Sequence, residues 1–173
     1  MRSEPVLFSL KTILFLLCLL AAFQAQAQKV TTNKAPNLYW VFGGGGISSQ
    51  GGSVGFGASR QTRQHIFSGR FVRNYDYNGG GTENWDVGAL YGRSYKTQSA
   101  MISGSAGLAY VGPSGSAGTI GIPLESQIFW TPTQYFGIGV YGFGNLNTKN
   151  IFGGALIGLQ IGRVTSPYDR GRQ

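Results

Sequence analysis

The chain has a single histidine, His65, three residues before Ser68 in "QHIFSGRFVRNY" (64–75), and a serine hydrolase would need such a pair beside a carboxylate. In an extended segment, residues three apart point to opposite sides, so these two cannot meet. With one histidine, and its one cysteine (Cys18) in the N-terminal leader, the chain has no nitrogen and sulfur set for zinc. "GIGVYG" (137–142) spells G-x-G-x-x-G, but the dinucleotide fingerprint requires a tight turn between a strand and a helix, and these residues lie inside an alternating stretch. "GGGG" (43–46) lacks the lysine of a phosphate loop and fits a crowded or bent strand better. We expect no catalytic residue, no cofactor and no metal site.

Polar residues set at alternate positions in apolar segments say more. In "TIGIPLESQIFW" (119–130), Ile120, Ile122, Leu124, Ile128 and Trp130 share one face, while Pro123, Glu125 and Gln127 share the other. Arg70, Asp86 and Gln160 occupy the same kind of position in their own segments. These residues (Arg70, Asp86, Glu125, Gln127 and Gln160) are expected to form an internal, structural polar cluster. A buried charge needs a partner, and Arg70 is the first candidate for Glu125. Pro123 cannot donate a ladder hydrogen bond, so it should mark a bulge or a locally open pairing.

The elements that must position this cluster are strands. Beyond a polar lead at 28–37, stretches of strand length begin at Leu38, Gly52, Gln64, Asn84, Ala100, Thr119, Tyr135 and Asn150. Between them lie "ISSQG", "RQTR", "DYNGGGTE", "KTQS", "GPSGSAG", "TPTQ" and "LNTK", rich in turn-forming residues. Eight strands joined by hairpins form an all-β, antiparallel up-and-down sheet, which at this number closes into a barrel and abolishes its edges. The second, fourth and sixth connections are short and the longest are the third and fifth, as expected if the even connections are periplasmic turns.

Composition decides which face of the wall meets what. Only 12% of the chain is charged, about half the roughly 25% of an average soluble domain, so little charge is available to solvate an outer surface. Lipid outside removes the need. On that reading Ile122, Leu124, Ile138, Val140, Ile157 and Leu159 face lipid, and strands of this length match the roughly ten residues that cross a bilayer at a tilt. Tyr75, Trp85, Trp130 and Tyr135 then mark the membrane interfaces, with Tyr77 beside the longest loop.

The N-terminus supports export. Arg2 and Lys11 precede or open the apolar run "ILFLLCLLAAF" (13–23), and Ala25 and Ala27 form an A-x-A site, so residues 1–27 read as a cleavable signal peptide. Leu17 stands before Cys18 where a lipoprotein signal needs a small residue. The expected organisation is a signal peptide at 1–27, a lead at 28–37, a β-barrel at 38–164 and a tail at 165–173. The net charge of +8 is scattered rather than gathered in a run, which argues against nucleic acid and for outer-membrane lipid or lipopolysaccharide as the partner of a monomer.

Signal peptide, alternating strands and glycine-rich inner faces together resemble the small outer-membrane barrels of the OmpA transmembrane domain and OmpX type. The junction "QAQAQKV" looks like that of exported proteins of Bacteroidota. The resemblance implies an integral outer-membrane protein with a structural, envelope-interaction or adhesion role. Lipid A deacylases are barrels of similar size, but their close His-x-Ser arrangement is absent here. Barrels of the OmpA type commonly close on an aromatic residue, whereas this chain continues through "TSPYDRGRQ". The alternative is a periplasmic or secreted soluble barrel that binds a small apolar ligand as lipocalins do, although a G-x-W start is missing. The two differ in where the apolar faces point: outward in a membrane barrel, inward in a soluble binder.

Overall fold

The computed structural model describes residues 37–76, 83–97, 99–113 and 117–165. The leader, Tyr77 and residues 166–173 lie outside them. Eight strands follow one another: β1 Leu38–Ser48, β2 Gly51–Thr62, β3 His65–Asp76, β4 Asn84–Lys96, β5 Ala100–Pro113, β6 Thr119–Trp130, β7 Phe136–Asn147 and β8 Phe152–Arg163. Each pairs antiparallel with the next, and β8 returns to β1, so the sheet is a closed up-and-down barrel with no free edge. The expected fold class is what is found.

Strand ends extend past the expected limits at the first two turns. The β1–β2 connection shrinks to residues 49–50 because Ile47, Ser48 and Gly51 join the ladder. A backbone hydrogen bond from Gln50 to Ser48 Oγ (3.3 Å) helps to tighten it. The β2–β3 connection shrinks to 63–64, with Arg63 in the left-handed region at φ 57°. The first connection is therefore as tight as the second, 114–118 is no longer than 131–135 at the other end, and the expected contrast between the two ends rests on the segment 77–83 alone.

Alternation is strict where it was expected. Along β6 buried and exposed residues interchange from Gly121 to Trp130, with Pro123, Glu125, Gln127 and Phe129 facing the lumen. The β5–β6 ladder runs from Ala100 opposite Trp130 to Ala106 opposite Leu124 and resumes at Ala109 opposite Gly121 in an unchanged register. Pro123 falls in the gap and stays opposite Asn145 on β7, so the discontinuity is an open pairing without an inserted residue.

Closure brings β1 and β8 close together at Gly162. This residue has φ 136°, donates its N–H to the Tyr135 carbonyl (3.0 Å) and lies opposite Trp40. A Cβ there would run into the Tyr39 carbonyl oxygen and the Trp40 backbone, neither of which can rotate away. Gly162→Ala is expected to cost about 1–3 kcal/mol through that strain. A lowered urea midpoint for loss of the folded form would register it; an unchanged midpoint would mean that the seam relaxes freely.

Candidate functional site: the lumen and the outer wall

Hairpin registers place the inward residues of neighbouring strands at matched depths, and the lumen fills in layers. At the end where β1 begins and β8 finishes the layer is apolar, with Leu38, Ile66, Met101, Phe129 and Val164 all buried. Lys96 reaches across this end to the Val164 carbonyl, its ammonium 5.1 Å from the centre of the Trp40 ring. Phe42 stacks on Tyr141 with ring centres 4.2 Å apart, roofing the layer.

Glu125 lies deeper, in a set of neutral donors. One carboxylate oxygen accepts from Gln127 Nε2 (2.6 Å) and from the Ser68 hydroxyl (3.2 Å), and the other accepts from the Tyr141 hydroxyl (2.7 Å). Gln160 Nε2 donates to Gln127 Oε1 (2.9 Å), so Gln127 relays the network from β6 to β8. Charge on a buried carboxylate can be held by several good donors in place of a cation.

Arg70 belongs to the next layer, and here the expected pairing is corrected. Its guanidinium meets Asp86, not Glu125: Nη2 lies 2.7 Å from Asp86 Oδ2, with both side chains fully buried. The same guanidinium donates to the Leu124 carbonyl (2.7 Å) and the Gly144 carbonyl (2.8 Å). Leu124 and Gly144 face each other across β6 and β7, so Arg70 crosses the barrel from β3 and inserts at that seam. Asn145 Nδ2 also donates to Asp86 Oδ2 (2.8 Å). Glycine opposite Arg70 at both Gly57 and Gly88 leaves room for the long side chain to turn inward.

The outermost layer is neutral: Ser53 Oγ donates to Asn74 Oδ1 (2.8 Å), and Asn74 Nδ2 donates to Asn84 Oδ1 (2.6 Å). Arg70, Asp86, Glu125, Gln127 and Gln160 are thus all inside and all buried, divided between two hydrogen-bonded sets. Sequence reasoning missed Tyr141, Ser68 and Asn145 as partners; their inward positions follow from the same alternation, but which polar group each one meets does not. His65 points away from this interior and contacts the Tyr91 hydroxyl through Nδ1 (2.6 Å), while Ser68 faces the lumen. Among the described residues no cluster of His, Asp or Glu is arranged to hold a metal ion.

Outside, the wall is apolar. Ile122, Leu124, Ile138, Val140, Ile157 and Leu159 are all exposed, Ile157 at 71%. Trp130 and Tyr135 are exposed at either end of the 131–135 connection, whereas Tyr75 and Trp85 are half-buried near the opposite end. Trp85 packs against Phe71 (6.1 Å) and Tyr110 (5.7 Å), and Arg73 sits 4.9 Å over Tyr75. Charge on the exterior is unequal. Arg60, Arg63, Arg93 and Arg163 are exposed near the end where β1 begins and β8 finishes, and among the described residues no acid joins them there. At the other end Arg73 is paired with Glu83 (2.8 Å).

A lumen filled by apolar layers and buried polar networks inside an exposed apolar wall is the arrangement of small membrane β-barrels. Solved structures with this fold include Neisserial surface protein A, 20% identical with a TM-score of 0.54 over 72% of this chain and 94% of that one. A second is a de novo designed transmembrane β-barrel, 15% identical with a TM-score of 0.55, covering 73% of this chain and 96% of the design. At such identities the likeness establishes the fold. No family model matches the sequence, and no curated protein matches it either.

Proposed function

We propose that the protein is a small integral outer-membrane β-barrel of the OmpA transmembrane domain and OmpX type, with a non-catalytic structural or adhesive role in the envelope. The observation that carries this reading is the inside-out wall: large apolar side chains ring the exterior while the buried interior holds Arg70, Asp86 and Glu125. Water outside such a wall would be met by a continuous apolar surface far larger than soluble monomers tolerate. In lipid the same surface is solvated and the closed ladder leaves no backbone group unpaired at an edge.

Both termini of the barrel emerge at one end, which export through a signal peptide would leave in the periplasm. The turns at 49–50 and 148–151, with the last residues of β3 and β5, then lie on the outer side. Filled layers from Phe129 to Asn84 favour a plugged lumen with little permeation, and a closed sheet favours a monomer surrounded by phospholipid or lipopolysaccharide. The same wall speaks against the lipocalin-like alternative, which needs its apolar faces turned inward around a ligand space.

The test is gel mobility in detergent with and without boiling, on protein fractionated between membranes and soluble material. The expected result is a membrane-bound band that shifts on boiling. A soluble protein with unchanged mobility would defeat the proposal.

A further inference from the structure

A shallow, open groove of about 590 Å³ on the outer wall runs from Ile161 on β8 past Tyr39 on β1 and Arg60 on β2 to Phe67 on β3 and Ala89 on β4, near the end where β1 begins and β8 finishes. Its floor is a row of small residues set side by side by the registers, Ala58 opposite Gly69 and Gly69 opposite Ala89. Nothing lies within 4 Å of where a Gly69 side chain would begin. Aromatic ridges bound the floor on both sides: Phe67 against Tyr91 (5.0 Å) towards the termini, and Phe56 against Phe71 (5.1 Å) on the other. A small floor between paired aromatics is a trough with apolar walls.

The rim at one corner is cationic. Tyr39 lies directly between Arg60 on β2 and Arg163 on β8, two residues closer to the start of β1 than the floor. All three are exposed, and Arg60 lies 5.7 Å over the Tyr39 ring. Among the described residues neither arginine belongs to an ion pair, and the described acids are elsewhere: Asp86 and Glu125 inside, Asp76 and Glu83 towards the far end. Two unpaired guanidiniums flanking a tyrosine match a phosphodiester, which arginine binds through charge and paired donors. An apolar trough leading away from that corner matches an acyl chain. Resting on the membrane reading above, we propose that this face holds an anionic phospholipid, its phosphate on Arg60 and Arg163 and one acyl chain in the groove over Gly69.

The test is native mass spectrometry of the mature protein released from detergent micelles after titration with phosphatidylglycerol or phosphatidylcholine of equal chain length. Arg60→Gln/Arg163→Gln removes the headgroup clamp, and Gly69→Leu fills the trough. The boiling shift is read on every variant, so loss of folding is separable from loss of the lipid. Wild type should retain phosphatidylglycerol preferentially, with the affinity falling about fivefold for each arginine removed, and Gly69→Leu should lose the adduct with its arginines intact. Equal retention of the two lipids would overturn the proposal while the boiling shift keeps the membrane reading. Retention unaffected by Gly69→Leu would reduce the face to a charged collar with no groove occupant and equally overturn it, as would a second copy of the chain seated on this face. A wild-type protein that neither shifts on boiling nor partitions to membranes would remove the membrane reading itself.

Discussion

Asp86→Ala is expected to destabilise the barrel by about 3–5 kcal/mol, because it leaves a buried guanidinium without its counter-charge. Arg70 has no exposed route to water: its side chain is fully buried and anchored at the far wall by the Leu124 and Gly144 carbonyls. The substitution also strands Asn145, whose amide donates to the same carboxylate oxygen. Equilibrium unfolding in urea, followed by the boiling-sensitive band, measures the loss. Removing both partners in Arg70→Met/Asp86→Ala should recover much of it, since a neutral pair of suitable volume leaves no charge to desolvate. A single Asp86→Ala variant within about 1 kcal/mol of wild type would mean that water reaches the guanidinium and that the lumen is not plugged at this level. Glu125 differs in kind. Its three donors are neutral, so no single removal there strands a cation.

Ile157→Arg carries the second large effect and discriminates between lipid and water around the wall. Ile157 is 71% exposed at the middle of β8, and Ile151 is 66% exposed just before the strand begins. Accessibility alone makes the two positions equivalent, and in a soluble barrel arginine at either would change stability by no more than about 0.5 kcal/mol. In a bilayer, depth separates them. Arginine costs about 2–4 kcal/mol at the midplane of a transmembrane barrel and about 0–1 kcal/mol near the interface. Refolding each variant into vesicles and measuring its unfolding free energy should therefore give a large loss for Ile157→Arg and a small one for Ile151→Arg. Equal and negligible losses would return the protein to the aqueous class.

On the proposed membrane reading, lipid around the wall would account for why the chain needs so little charge. Most of its described acids and bases have been drawn into the lumen or out to the two ends, as with Arg70 and Asp86 in one case and Arg73 with Glu83 in the other. What remains between them is a band of aliphatic and aromatic residues one strand long.

The amino-acid order by itself determined the strands and their sidedness. Eight segments bounded by turn formers, each with a period of two, leave a hairpin-linked sheet almost no freedom: side chains two apart must share a face, and a register slip of one would turn every Ile out of place. Ile122 and Glu125 could therefore be assigned to opposite faces without coordinates, and the gap in pairing at Pro123 followed from a missing N–H. Only the closed barrel decided who meets whom inside. Arg70 reaches carbonyls on β6 and β7, and Ser68 on β3 reaches Glu125 on β6, contacts set by how the sheet curls and staggers when β8 closes on β1. Likewise, the groove over Gly69 exists because two registers align Ala58, Gly69 and Ala89 between two rows of rings. Local periodicity is a property of one strand, whereas a partner across the lumen and a trough across the wall are properties of several strands at once, fixed only when the barrel closes.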